Sequence, residues 1–199
     1  MKKAYLLLFC IPLLIAFTEP IAWDLKKDAN QIQIYTRKIE GSSFREFKAT
    51  TRVKTTLDDA LQEIMYRAPE FTQPVKSEQS YFLKKNIDNS RVYYAMRKMP
   101  WPIRDRDVVT TVSILQQTDH VIMLKVQATP EELPQQEDTI RIEELDGFWL
   151  LEKEGAYVRI TQQLHLEPRG SIPPFIINAL IARGPHTTFS DLRNKLHRD

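Results

Sequence analysis

GSIPPFIINALIARG, from Gly170 to Gly184, decides the architecture. Pro173 and Pro174 suit a helix start, since proline carries no N–H and the first turn of a helix needs none. Phe175, Ile176, Ile177, Ala179, Leu180, Ile181 and Ala182 then make nearly the whole circumference apolar. Such a helix has to be covered on most of its sides. Gly184 and Pro185 are expected to kink or break it before the more polar HTTFSDLRNKL.

The cover has to come from upstream, where the dominant period is two. Gln31 to Ile39, Phe44 to Val53, Ser77 to Lys85, Arg91 to Met99 and Asp107 to Leu115 alternate β-branched or aromatic residues with polar ones. So do His120 to Ala128, Thr139 to Leu145, Phe148 to Lys153 and Tyr157 to Leu166. Turn signals such as GSS, NIDNS and QQTD separate them, and TPEELPQQED, Thr129 to Asp138, is the longest loop. Sequential strands with short connections predict an antiparallel meander. One helix interrupts it: Thr56 to Arg67 has a Thr cap, early Asp58 and Asp59, and apolar Leu57, Ala60, Leu61, Ile64 and Met65 at helical spacing. The expected fold is therefore α+β, with the concave face of one sheet covering the C-terminal helix.

Composition sets the bounds on function. The chain has 199 residues, 42% apolar and 27% charged, enough for one domain with a real core. Lys and Arg number 28 against 26 Asp and Glu, and Lys2 and Lys3 supply the small excess. A balanced chain lacks the basic surplus that phosphate-backbone binding needs, so nucleic acid is a poor candidate and no nucleic-acid partner is expected. MKK, the apolar run Ala4 to Phe17 and the polar TEP read as a secretory signal in residues 1–22, cleaved after Thr18 or after Ala22, with the functional domain in 23–199. The run is too short for a membrane-spanning helix. The protein is thus expected to be exported, periplasmic or secreted, and to lose Cys10, its one cysteine, which excludes disulfides and thiol catalysis.

PWPIRDRDVV, from Pro100 to Val109, followed some sixty residues later by GSIPPFIINALIARG, resembles the signature pair of the steroidogenic-acute-regulatory-related lipid-transfer (START) family. The likeness runs from about Leu25 to Leu196. It implies a helix-grip fold: a curved antiparallel sheet wrapped around a long C-terminal helix, leaving an apolar tunnel for one lipid. It also implies no chemistry on the ligand, no cofactor, a monomer, and a transient encounter with a membrane surface. The family's omega loop corresponds to Met99 to Arg104. A gate would then form from Met99, Pro100, Trp101, Pro102 and Ile103 on one side and Phe175 and Ile177 on the other, with Gly184 as hinge. Sterol-binding members carry an acidic and a basic tunnel residue on the strands flanking this loop. Here Val108 to Ile114 is apolar or hydroxylic, which argues against that type of sterol site.

Strand parity selects the residues expected to face inward, because alternate residues share a face. The set is Val92, Tyr94 and Met96, then Val112, then Ile122, Leu124 and Val126, then Ile142, then Ile160, Gln162 and Leu164, with Asn178 and Ile181 from the helix. Gln162 is the polar exception, a partner either for a lipid headgroup or ester or for backbone or water. Arg106 and Asp107 are adjacent, so at most one points inward: the resemblance implies that one of them contacts a headgroup phosphate or seals the tunnel's end, and the alternative is a structural salt bridge holding the omega loop. Trp101, between two prolines, is either a membrane-touching gate residue or a loop anchor on the C-terminal helix. Metal and nucleotide motifs are absent. A cyclase or aromatase on the same scaffold, using Arg106, Gln162 and Asn178, is the enzymatic alternative.

A cavity of this kind has an energetic consequence. At about 24 cal/mol per Å³, a dry void of ~500 Å³ costs roughly 12 kcal/mol, as much as a whole domain's stability. A ligand must fill it, or water, or the walls must partly collapse.

Overall fold

The C-terminal helix breaks earlier than its sequence suggests. In the computed structural model, which describes residues 22–66 and 78–197, α2 spans Pro174–Leu180 and α3 spans Arg183–Leu196. Pro185 cannot continue a helix that includes Ile181, because its ring meets the carbonyl four residues back. The chain therefore turns at Ile181 and Ala182 and restarts with Pro185 in the first turn of α3, where a missing N–H costs nothing. Gly184 is helical, within α3, and is not the break. The expected division of labour is also corrected: α3 buries Phe189, Leu192 and Leu196, while Phe175 of α2 is 73% exposed. Burial of an apolar stripe on α3, not of the whole surface of α2, anchors this end of the chain.

Among the described residues ten strands form one sheet in the order β1-β2-β3-β10-β9-β7-β6-β5-β4, with β8 against β6. They are β1 (Asp24–Ala29), β2 (Ile32–Arg37), β3 (Glu46–Val53), β4 (Glu78–Lys85), β5 (Arg91–Arg97), β6 (Asp105–Gln117), β7 (Val121–Ala128), β8 (Thr139–Ile142), β9 (Glu144–Glu154) and β10 (Tyr157–Glu167). The meander holds from β4 to β7 and through β9 and β10, and β10 closes onto β3. β8 departs from it, pairing with β6 in parallel. Bulges shift the register between β1 and β2, β4 and β5, and β6 and β7, and such insertions sharpen the local twist. The signal reading falls on residues outside those described, apart from Ala22.

α1 (Leu57–Leu61) is capped as the sequence requires, with Thr56 Oγ1 accepting from the Asp59 amide at 3.1 Å. It passes into a π-helical turn, Gln62–Tyr66, in place of a continuous helix to Arg67, which lies outside the described residues. That turn buries Ile64 and Met65, and the Tyr93 hydroxyl donates to the Met65 carbonyl. Stacked Trp149 and Phe189, 5.5 Å between ring centres, join β9 to α3. Around them Ile32, Ile34, Leu61, Leu124, Leu151 and Ile160 form the main core at the closed end of the sheet.

Gly147 permits the close approach of β9 and β10. A Cβ there would lie 2.3 Å from the Gln163 carbonyl oxygen and 3.0 Å from Leu164 Cα, both backbone atoms that cannot swing aside. Gly147→Ala is expected to cost about 3 kcal/mol, read as a lowered midpoint in urea with an unchanged slope.

Candidate functional site

Between the inner face of the sheet and the C-terminal segment lies a cavity of about 480 Å³. β6 contributes Val108, Thr110 and Val112; β10 contributes Gln162, Leu164 and Leu166; β9 contributes Trp149. The π turn closes it with Ile64, and the C-terminal segment closes it with Ile177 of α2, Ile181 of the break, and Gly184, Thr188 and Leu192 of α3. The walls are mostly apolar, and the polar exceptions include Arg45, Arg97, Arg106 and Gln162.

Several residues singled out in the sequence border this space: Met96, Met99, Arg106, Val112, Val126, Ile142, Gln162, Leu164, Ile177, Ile181 and Gly184. Ile122, Leu124 and Ile160 share the inner face but lie in the packed core, beyond the end of the cavity. Asn178 is also placed elsewhere. Its side chain accepts from the Arg45 amide at 3.0 Å and donates to the Ser43 carbonyl at 3.2 Å, tying α2 to the segment before β3.

On β5 the parity reading is corrected. Register pairs Tyr93 with Thr110 and Ala95 with Val108, so Tyr93, Ala95 and Arg97 share the inner face and border the cavity. Val92, Tyr94 and Met96 share the other face, where Val92 and Tyr94 pack with Val109 against Leu83, Met96 and Leu133; of the three, Met96 alone also borders the cavity. A second small core exists there because the loop after β7 folds over the outer face. Burial there, then the negative charge of Asp107, pushes the Tyr94 hydroxyl up to about 12.

Arg106 and Asp107 divide as adjacent strand residues must. Asp107 turns to the outer face, where Arg141 grips both its oxygens at 3.0 and 2.9 Å. Arg141 also donates to the carbonyls of Pro130, Leu133 and Pro134, so one guanidinium pins the whole loop. Arg106 turns inward and donates to the carbonyls of Arg104, Pro168 and Arg169, fastening β6 to the segment before α2. Burial, and then the nearby Arg104, lower its pKa. Asp107 thus forms a structural salt bridge, with Arg141 as its partner, but the loop it holds is the one from Thr129 to Asp138 and not the one from Met99 to Arg104.

The loop between β5 and β6 is closed by the Met99 amide on Asp105 Oδ1 at 2.9 Å and by a turn from Pro100 to Ile103. Met99 faces the cavity, Ile103 is half-buried, and Pro100 and Pro102 are exposed. Trp101 is 92% exposed and packs on no helix. Among the described residues no three His, Cys, Asp or Glu side chains are grouped to hold a metal, and no helix is long and apolar enough to cross a membrane.

Comparison with known proteins gives a consistent result. The family model described as START domain matches residues 18–199. A STAR-related lipid transfer protein from Xanthomonas axonopodis, solved as a crystal structure, is 32% identical, with a TM-score of 0.77 over 88% of this chain and 99% of that one. An uncharacterized protein of Pseudomonas aeruginosa is 29% identical over 175 residues, 86% of this chain and 85% of that one. The phosphatidylcholine transfer protein of Rattus norvegicus is 23% identical over 180 residues, 85% of this chain and 81% of that one.

Proposed function

The chain belongs to the START domain family, and from that premise we propose that it binds one lipid molecule in the internal cavity and transfers it between membranes. The observation that carries the reading is the cavity itself. At about 24 cal/mol per Å³, leaving 480 Å³ dry costs on the order of 12 kcal/mol, which no domain of ordinary stability tolerates. A lipid chain satisfies aliphatic walls that water does not, and Arg106 and Gln162 supply the polar contacts for its head.

The gate is the loop from Met99 to Ile103 together with α2. Trp101 and Phe175 are large, apolar and exposed, one on each gate element. They suit insertion into a membrane interface while Met99 and Ile177 swing from the cavity mouth. The hinge is assigned to the break at Ile181 and Ala182. The Trp101→Ser, Phe175→Ser double variant is expected to slow lipid transfer between vesicles about tenfold while its bound-lipid stoichiometry stays unchanged. Full transfer by that variant would refute the gate.

The cyclase alternative draws on Arg106, Gln162 and Asn178, and the last is bonded to backbone outside the cavity. Export through a signal in residues 1–22 remains part of the proposal and is tested by N-terminal sequencing of the mature protein. Native mass spectrometry followed by denaturing extraction tests the function. An unmodified lipid at one per chain is expected, and lipid at 100 times its Kd should add about 2.7 kcal/mol of stability. That corresponds to a Tm rise of roughly 5–11 °C for a chain of this size. An empty protein that no lipid stabilises would overturn the proposal, and a chemically altered ligand would favour the cyclase.

A further inference from the structure

We propose that the cavity is one hydrocarbon chain wide, so that the lipid carried has a single chain of about 16 carbons and not two chains side by side. This rests on the lipid-carrier reading above and names its cargo. A methylene group is close in size to a water molecule, whose share of liquid volume is about 30 Å³, so 480 Å³ takes roughly 16 of them. A phospholipid with two such chains brings about twice that number before its head is counted.

Length gives the same figure. Arg106, Val108, Thr110 and Val112 all border the cavity, and alternate residues of one strand share a face. At about 3.4 Å per residue, the stretch from Arg106 to Val112 runs roughly 20 Å. C–C bonds of about 1.5 Å at a tetrahedral angle advance an extended chain by ~1.3 Å per carbon, so this stretch takes about 16 carbons. Spread over that length, 480 Å³ gives a mean cross-section of about 24 Å². One chain needs about 23 Å², from ~30 Å³ per methylene and ~1.3 Å of advance. A second chain alongside it finds no room.

The walls are fastened where a second chain would have to push. Trp149 of β9 borders the cavity and is stacked on Phe189 of α3. Ile64 of the π turn borders it too, and the Tyr93 hydroxyl holds that turn through the Met65 carbonyl. Behind β5 and β6, Val92, Tyr94 and Val109 fill the other face. A close-packed interior has low compressibility, so doubling the cavity means breaking these contacts and not stretching them. Opening of the gate at Met99 and Ile177 exposes one end, which a single chain enters end-first.

The test offers the full chain vesicles of equimolar palmitoyl-oleoyl-phosphatidylcholine and palmitoyl-lysophosphatidylcholine and reads the bound lipid by native mass spectrometry. The two share a head and differ in the number of chains. The expected result is lysolipid over diacyl lipid by at least tenfold. Across a series of lysophosphatidylcholines, affinity is expected to climb to a chain of about 16 carbons and then level or fall. Val112→Phe places a ring at the far end of the cavity, and its optimum is expected at chains roughly two to four carbons shorter. A competition with palmitate separates the sources: displacement of the lysolipid assigns the cargo to a free fatty acid, and retention assigns it to a single-chain phospholipid, either one in support. Diacyl lipid taken up as readily as lysolipid, or affinity still rising beyond about 20 carbons, overturns the single-chain reading and leaves the carrier reading standing. A folded Val112→Phe with the wild-type optimum does the same. Uptake of no lipid at all overturns the carrier reading itself.

Discussion

Asp107→Ala is expected to lower the unfolding free energy by about 3–5 kcal/mol, a Tm fall of roughly 6–20 °C. The side chains of Asp107 and Arg141 are both almost wholly buried, and their pair is bidentate. Removing the carboxylate leaves a cation in a site closed to water, still held by three loop carbonyls. The loss should appear first as detachment of the loop from Thr129 to Asp138 and of β8. Arg141→Met alone should cost a comparable amount by stranding the carboxylate. The double variant Asp107→Leu, Arg141→Met should recover much of it, because removing both charges leaves no unpaired group. Thermal unfolding of wild type, Asp107→Leu, Arg141→Met and the double variant measures the cycle, and single variants within 1 °C of wild type would show that the pair contributes little.

That pair also explains where the sequence was legible and where it was not. The strands from β5 to β7, β9 and β10 follow from alternation, and the grip on a C-terminal helix follows from the apolar circumference of Phe175 to Ala182. β1 was not legible: DLKKDA has almost no apolar period, and it becomes a strand through pairing with β2 across a tight turn at Asn30 and Gln31, both with positive φ. Parity failed on β5 for a different reason. When both faces of a strand are covered, polar residues no longer mark the outside, and Arg91, Tyr93 and Arg97 were assigned outward because they carry polar groups. Tyr93 instead uses its hydroxyl inside, on the Met65 carbonyl. The ten-residue loop TPEELPQQED, followed closely by Arg141, was the available signal, since a long loop with a cation beside it needs a surface and an acid to rest on.

Core and cavity residues are alike in sequence for a related reason: both are apolar and inward. Ile122 and Ile160 are packed, while Val112 and Leu164 face open space, yet each obeys the same period of two. Cavity volume depends on how far the sheet bends away from α3, and that is set by bulges and by Gly147, not by hydropathy. Mutation separates the two classes where composition does not.

Val112→Trp makes the separation measurable. Val112 pairs with Val126 across β6 and β7, and both border the cavity. In a close-packed core, a larger ring forces neighbours off their rotamers and costs about 1–3 kcal/mol. At a cavity wall it enters empty space, regains dispersion contacts that the void forfeits, and is expected to hold or raise stability by about 0.5–2 kcal/mol. The same ring occupies volume that a lipid chain needs, so affinity should drop at least tenfold, roughly 1.4 kcal/mol or more. Lipid-free Tm and lipid affinity are thus expected to move in opposite directions in one variant, with Ile160→Phe in the packed core as the contrast that loses stability. Loss of stability in Val112→Trp together with unchanged lipid affinity would mean that the space beside β6 is packing slack and that the ligand sits elsewhere.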